Sequence, residues 1–406
     1  MSYFLVETCN IYLVITILFI IAIFQYALYD NNKLIIKDNS ILKFIKKIFL
    51  MKKLIFITFL VMLTAASAFG QRRIVNLPNI PGYVTLKCDF HLHTVFSDGN
   101  VWPTVRIDEA LRDGLDAIAI TDHLEFTPKK SFIPVDLNAA WKIGEEYAKA
   151  RNLILVHGAE ITGETMPPGH FNALFITDAS LIVKDDVWDS IEAAIKQGAF
   201  LQWNHPGWKE QQSDSIPRMY DIHTRLIKNG WLHGIEFFNS SEYYPLVLEM
   251  CKQYNLALMG NSDSHGVISE QYTKPTYTNR PMTLVLAKER TLDALKQALF
   301  AGRTLVWFRD ILAGKEEYAK PFFYQCISIN KPFYQNDKSL FFEVTNNSDI
   351  PFYLVNGIAN APKSITLAAN AVTRIVLSKK VTGPLVYDVR NVLTGEKEVL
   401  RIELKY

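Results

Sequence analysis

From residue 83 to about residue 308 the sequence alternates short β-rich runs with amphipathic helical patterns, and this order constrains the fold more than any other feature. YVTLKCDF is followed by DEALRDG, DAIAIT, LNAAWKIGEEYAKA and LILVHGAE, an order of β-α-β-α-β. It continues through GHFNALFIT, VWDSIEAAIKQG, AFLQWN, a helical stretch over 216–229, GIEFF, YYPLVLEMCKQY, LALMGNSD, LDALKQALFAG and RTLVWF. Strands separated by helices predict parallel pairing, and repeated units of this kind suit a closed α/β barrel, with an open doubly wound sheet as the alternative. No GxGxxG follows any strand, so nothing directs a dinucleotide to this chain.

After about residue 320 the helical period disappears. SLFFEVTN, PFYLVNG, SITLAA, TRIVLS, PLVYDVR and EVLRIELKY are short strands between turn residues, which predicts a small antiparallel β-sandwich over 321–406 behind a barrel over 71–320. The last histidine is His265, so the sandwich is assigned no chemistry and reads as a packing or docking module.

The amino-terminal region carries two competing signals. Residues 11–28 form an uncharged apolar run long enough to span a bilayer. From Met51, however, the chain shows a Lys52–Lys53 head, an apolar middle and the small-residue end Ala66-Ser67-Ala68, the pattern of a secretory signal peptide over 51–70. Such a peptide does not work behind another hydrophobic segment. The reading is that translation begins at Met51 and residues 1–50 are misassigned upstream sequence, or else an anchor segment. The full chain carries a net charge of +2, and removing residues 1–70 takes away seven basic and three acidic residues, leaving −2. Neither value suggests a nucleic-acid partner. The expected product is periplasmic or secreted, with no stable membrane association once the signal peptide is removed. Cys88, Cys251 and Cys326 remain, without a CxxC pair, so neither a zinc ribbon nor a disulfide framework is indicated.

Chemistry concentrates at the strand ends. His91 and His93 close the first strand, where alternation projects both to one side. Asp98, in Ser97-Asp98-Gly99, is either a turn former or a ligand at the same mouth. The second strand ends at Asp122-His123, the third at His157-Gly158-Ala159-Glu160, and the fourth begins Gly169-His170. Asn204-His205-Pro206, Glu236 and Asp263-Ser264-His265 follow. An HxH pair alone is a weak signal. Its recurrence at strand after strand is a strong one, because the carboxyl ends of barrel strands form the active-site face. Imidazoles with bridging carboxylates suit Zn²⁺, Mn²⁺ or Fe²⁺, and so many candidate ligands exceed what one ion needs, so two or three ions are expected.

The ordered set DxHxHT, SDG, TDH, GxE, GH, NHP and SDxH resembles the PHP (polymerase and histidinol phosphatase) metal-dependent phosphoesterases across roughly residues 83–310. VWPTVRIDEALRDGLDAIAITDH, NHPGW and FAGRTLVWF are similar to the secreted Sb-PDE phosphodiesterases, built as a PHP barrel followed by a small β domain. The resemblance implies a distorted (β/α)7 barrel in which His91, His93, Glu160 and Asp263 hold one metal. Glu160 then bridges to a second held by His170 and His205, and a third takes His123, His265 and Asp98. Asp98 stands one residue before the position where the all-histidine pattern has His. Glu160 and Asp263 are read as the catalytic pair among these ligands.

Such a centre implies hydrolysis of a small phosphate ester by a metal-bridging hydroxide, and the absence of GxSxG agrees with a mechanism that needs no protein nucleophile. The activity expected is that of a phosphodiesterase, with a phosphomonoesterase on the same barrel or a non-catalytic metal-binding module as alternatives. Arg106, Lys129 and Arg303 are candidates to offset phosphate charge, and Trp102 and Trp208 to stack on an organic group; each reads more simply as a solvated charge or a packed aromatic. Asp89, Asp122 and Glu236 are candidates to orient imidazole N–H groups. His157 reads as a residue that supports the ligands or packs, and His223 and His233 as surface or core residues.

Overall fold

The computed structural model describes residues 73–163, 165–272, 279–381 and 383–406, together with short pieces between residues 29 and 58. Among those pieces Tyr29–Asp30 pairs antiparallel with Lys33–Leu34. The apolar run over 11–28 and the small-residue end of the signal pattern lie outside the described residues. Among the described residues no helix is long and apolar enough to cross a membrane.

From Val84 the chain builds β1 (Val84–Asp89), α1 (Pro103–Arg112), β2 (Ala117–Ile120), α2 (Ala139–Ala150), β3 (Ile154–Ile161), β4 (Phe171–Leu174), α3 (Val187–Lys196) and β5 (Phe200–Trp203). There follow α4 (Asp221–Lys228), β6 (Leu232–Asn239), α5 (Leu246–Tyr254), β7 (Ala257–Asn261), β8 (Met282–Ala287), α6 (Leu292–Phe300), β9 (Thr304–Phe308) and β10 (Ile311–Gly314). Helix starts follow local chemistry. Pro103 pre-sets the first turn of α1, and Asp186 and Thr291 cap α3 and α6 by accepting backbone N–H groups.

The strands lie in the order β7-β6-β5-β4-β3-β2-β1-β8-β9-β10. Pairing is parallel in β1–β2–β3 and in β5–β6–β7, as strands separated by helices predict. β8 departs from this, running antiparallel to β1 and also to β9, to which α6 joins it, and β4 runs antiparallel to both β3 and β5. For β4 the reason lies in its approach: the described residues between β3 and β4 hold no helix, so the chain turns back at once and enters β4 from the rim where β3 ended. That reversal puts His170, which precedes β4, at the same rim as the ends of β1, β2 and β3. The sheet curls until β7 meets β1 and β9. There the seam is closed partly by side chains: Leu258 N–H donates to Thr304 Oγ1 (2.9 Å), Gly260 N–H to Thr283 Oγ1 (2.9 Å), and Leu92 bridges Ser264.

The two ends of this barrel are finished differently. Ala294, Leu295, Ala298 and Leu299 of α6 join Leu86, Cys88, Phe90, Ala119, Val156, Phe200 and Met259 in one buried interior cluster. α6 connects β8 to β9, which pair antiparallel, so it lies across the amino-terminal end of β1 and plugs it.

α7 (Glu316–Cys326) leads into β11 (Ile327–Ile329), β12 (Ser339–Asn346), β13 (Phe352–Val355), β14 (Ser364–Leu367), β15 (Ala371–Ser378), β16 (Leu385–Leu393) and β17 (Val399–Leu404). β12 pairs antiparallel with β11 and β15, and β16 with β13 and β17, giving the expected two-layered β domain. Alternate residues such as Phe342, Val344, Ile375 and Leu377 are buried with Phe352, Leu354, Val389 and Ile402. β10 also pairs in parallel with β16 through Leu312–Val392 and Ala313–Leu393, so the barrel sheet continues into this domain.

Candidate metal centre at the mouth of the barrel

His91 and His93 reach the mouth through a break in β1. Strand alternation cannot turn both Phe90 and His91 inward, yet Phe90 packs in the interior cluster and His91 faces Glu160. The ladder ends at Asp89, and the Phe90 backbone is satisfied by barrel amides instead. Its N–H donates to Asn261 Oδ1 (2.8 Å) and its C=O accepts from Asn172 Nδ2 (3.1 Å). The Ser97-Asp98-Gly99 turn is equally specific, since a Cβ on Gly99 would lie 2.5 Å from the His93 backbone.

Four buried atoms converge here without a hydrogen-bond partner: His91 Nε2, His93 Nε2, Glu160 Oε2 and Asp263 Oδ1. His91 Nε2 lies 3.3 Å from Glu160 Oε2 and 3.2 Å from Asp263 Oδ1; His93 Nε2 lies 3.4 and 3.1 Å from the same two oxygens. Ligands about 2.0–2.2 Å from one tetrahedral cation stand about 3.3–3.6 Å apart, and these four nitrogen–oxygen separations are close to that spacing. Unpaired buried polar atoms are otherwise costly, and a cation is the partner that two carboxylate oxygens and two imidazole nitrogens share.

Two further groups adjoin it. Glu160 turns Oε1 to His170 Nδ1 (3.1 Å) and His205 Nε2 (3.7 Å), while its Oε2 lies 3.1 Å from His123 Nδ1. Asp98 faces His265 Nε2 (3.1 Å), His93 Nδ1 (3.6 Å) and His123 Nε2 (3.8 Å). The structure therefore brings together all nine residues singled out as ligands, Asp98 included, with Glu160 shared between the first two groups.

The electrostatics demand positive charge. Burial would push the Glu160 and Asp263 carboxyls up, but the surrounding imidazoles, His123 and His91 foremost for Glu160 and His91 and His93 for Asp263, hold both well below the usual carboxylate range. Burial would hold His91 down, yet Asp263, Glu236 and Glu160 carry it well above the usual imidazole range. Burial lowers His93 and takes His123 down to about 4. Against its own burial, Asp98 is brought to about 2, chiefly by its bond to His265, which rises to about 8 in return.

Support comes mainly from Glu236. Oε1 accepts from His91 Nδ1 (2.9 Å), Asn261 Nδ2 (2.9 Å) and Gln202 Nε2 (3.1 Å), and Oε2 from His205 N–H (2.7 Å) and Asn239 Nδ2 (2.8 Å). With Nδ1–H bound to Glu236, His91 presents its Nε2 lone pair to the centre. Asp89 and Asp122 do not touch an imidazole nitrogen, contrary to the sequence expectation. Asp89 fastens Ser262 and Arg280, and Asp122 holds Thr94 and Ser97. Both act on loops rather than rings. The backbone is strained where two ligands sit: His205 has φ 25° and Asp263 φ 48°. Conformations of this kind cost about 1–3 kcal/mol each and persist where neighbours fix them.

Sequence reasoning missed the amides. Asn172, Gln202, Asn204, Asn239 and Asn261 form a buried polar layer beneath the ligands, and Asn204 Nδ2 donates to Glu160 Oε1 (2.8 Å). Their signal was present, as single amides in otherwise apolar runs such as FNAL, FLQW and ALMGN.

The candidate substrate groups divide. Trp208 stands at the centre, its ring 5.2 Å from His205 and 5.7 Å from His170. Lys129 reaches the Ser97 C=O (3.2 Å), beside Asp98. Trp102 packs on Phe96. Arg106 is buried and bonded to His93 C=O, Glu109, Ser264 C=O and Gly266 C=O, a structural clamp behind the ligands rather than a group facing substrate. Arg303 donates to Leu286 C=O near the plugged end, because antiparallel β8 carries Leu286 opposite Thr85 at the start of β1. His157 stacks on Trp141. His223 stacks on Trp203 and bonds Pro168 C=O, and His233 accepts the Leu201 N–H (3.0 Å). Burial lowers all three imidazoles to about 4.

A barrel whose mouth gathers imidazoles and carboxylates in this way defines a metal-binding α/β-barrel protein. The family model described as a PHP domain matches residues 89–302, and the chain belongs to that family. A model described as an Ig-like domain matches residues 327–405. A Bacteroides vulgatus structure, described as a two-domain protein containing a predicted PHP-like metal-dependent phosphoesterase, is 37% identical. The match covers 82% of this chain and 99% of that one, with a TM-score of 0.79. An uncharacterized protein of Methanocaldococcus jannaschii is 23% identical over 201 residues, 47% of this chain and 87% of the relative.

Proposed function

We propose that this protein is an exported, divalent-metal-dependent phosphodiesterase. The observation that carries the reading is the convergence of four unpartnered buried atoms beside a second carboxylate–imidazole group, with Glu160 common to both. His91, His93, Glu160 and Asp263 would hold one ion, and Glu160, His170 and His205 would hold a second; Zn²⁺, Mn²⁺ and Fe²⁺ suit these donors. Asp98, His123 and His265 are the donors for a third. Bound divalent ions supply Lewis acidity toward a phosphoryl oxygen and a water ionised near neutral pH.

The chain's own work is placement. Glu236 sets the His91 tautomer and clamps the His205 backbone, Asn204 fixes one Glu160 oxygen, and Asp89 ties the β7 loop carrying Asp263 to the end of β1. The phosphoesterase described for the Bacteroides vulgatus relative supports the reaction class. Apolar rings beside the ligands favour a diester, which has two organic groups and one charge fewer than a monoester dianion. The Met51–Gln71 pattern supports export. The test is turnover of bis-p-nitrophenyl phosphate against p-nitrophenyl phosphate, after chelation and on return of Mn²⁺ or Zn²⁺. The diester should be preferred and activity should follow metal. Preference for the monoester would overturn the diesterase assignment, and hydrolysis of neither by metal-loaded protein would overturn the enzymatic one.

A further inference from the structure

Two aromatic side chains at the mouth are neither ligands nor members of a buried core cluster. Phe126, on the loop between β2 and α2, is 51% exposed, and its ring meets His123 edge-on with centroids 6.0 Å apart at 76°. Trp208, half-buried on the loop after β5, meets His205 and His170. His123 and His170 are themselves 5.9 Å apart, and both contact Glu160. A row of rings thus runs Phe126, His123, His170, Trp208, with the shared carboxylate at its middle and an aromatic residue at each end. A large apolar ring left in water beside charged groups contributes little to folding, so its placement points to a ligand.

Resting on the phosphodiesterase reading above, we propose that Phe126 and Trp208 determine specificity by gripping the two organic groups of the ester. The preferred substrates are then phosphodiesters carrying flat, unsaturated substituents. Phosphorus must sit over the ligands, and its two ester oxygens diverge tetrahedrally, so the substituents leave in different directions. An aromatic ring stands at either end of the row. Flat rings stack there, whereas small alkyl groups fill neither position. The Lys129 ammonium, held beside Asp98, supplies a cation for the single phosphate charge.

Two substrates with one leaving group test this: phenyl p-nitrophenyl phosphate and methyl p-nitrophenyl phosphate, assayed with wild-type protein, Phe126→Ala, Trp208→Ala and Phe132→Ala. Phe132 is an 89% exposed ring on the same loop as Phe126, and it serves as the control. Wild type should prefer the phenyl ester in kcat/KM by about tenfold, and each of the first two variants should cut that ratio by about three- to tenfold. Phe132→Ala should keep it. Calorimetric binding of diphenyl phosphate against dimethyl phosphate should show the same pattern without turnover. A wild-type ratio near one, or a ratio unmoved in both Phe126→Ala and Trp208→Ala, overturns the assignment while diester hydrolysis stands. Hydrolysis of p-nitrophenyl phosphate with neither diester turned over overturns the reading on which it rests.

Discussion

The two ends of the barrel are built from the same strands and obey opposite rules. At the plugged end polar groups find partners within the fold: Asp116 pairs with Lys87 (2.7 Å) and Arg290 (3.3 Å), and His233 accepts the Leu201 N–H. Below them α6 seals the interior with alanine and leucine. At the mouth, ionised carboxylates face the unpartnered Nε2 atoms of His91 and His93, and two ligands sit on strained backbone. One end is satisfied by folding and the other is left to be satisfied by ions. Histidine marks the contrast, since the same residue type accepts a backbone N–H at His233 and turns an unpartnered nitrogen to the carboxylates at His91.

The largest effect should come from the residue both metal groups share. Glu160→Ala should lose more than one equivalent of metal by elemental analysis and reduce turnover by orders of magnitude with the circular dichroism spectrum retained. Loss of one equivalent or less would separate the two groups and break the bridge.

Glu236→Gln comes next, because it spoils the acceptor that aims His91 and holds His205 without removing a ligand. Metal affinity or activity should fall about 10–100-fold, as for other groups that orient metal ligands. Titration with a competing chelator measures it, and wild-type affinity would leave Glu236 with a packing role alone.

His233→Ala probes the other end. It leaves the Leu201 N–H without its acceptor and should lower folding stability by about 1–2 kcal/mol in denaturant melts, while metal content and turnover per folded molecule stay at wild-type values. A loss of metal would erase the difference between the two ends.

The smallest effect concerns Asp98. The hydrogen bond to Asp98, with the Asp263 charge behind it, carries the His265 imidazole up to about 8 against its own burial. A raised imidazole pKa contributes stability that is fully present below the unfolded value, about 6.5, and is lost as pH rises through about 8. Asp98→Asn should bring the His265 titration, followed by proton NMR, back toward the ordinary value. An unchanged titration would remove Asp98 from the cluster.

Much of this contrast was legible in the sequence, for a physical reason. Metal ligands are few in type and must stand at strand ends, so the recurrence of His, Asp and Glu there pointed to the mouth before any geometry. The alternation of strands and helices likewise gave the barrel and the β domain behind it. What escaped depends on contacts between distant segments. Nothing local says that β4 runs backward, that Phe90 breaks the ladder on Asn261 and Asn172, or that Arg106 points behind the ligands instead of over them. Asp89 and Asp122 adjoin histidines in sequence, yet Glu236, from another strand, is the residue that orients one.

Anomalous scattering from crystals grown with Mn²⁺ or Zn²⁺ tests the central claim most directly. The account predicts a strong peak enclosed by His91, His93, Glu160 and Asp263, and a second between Glu160, His170 and His205. Metal bound elsewhere on the protein, with those side chains keeping their present positions around no peak, would contradict it.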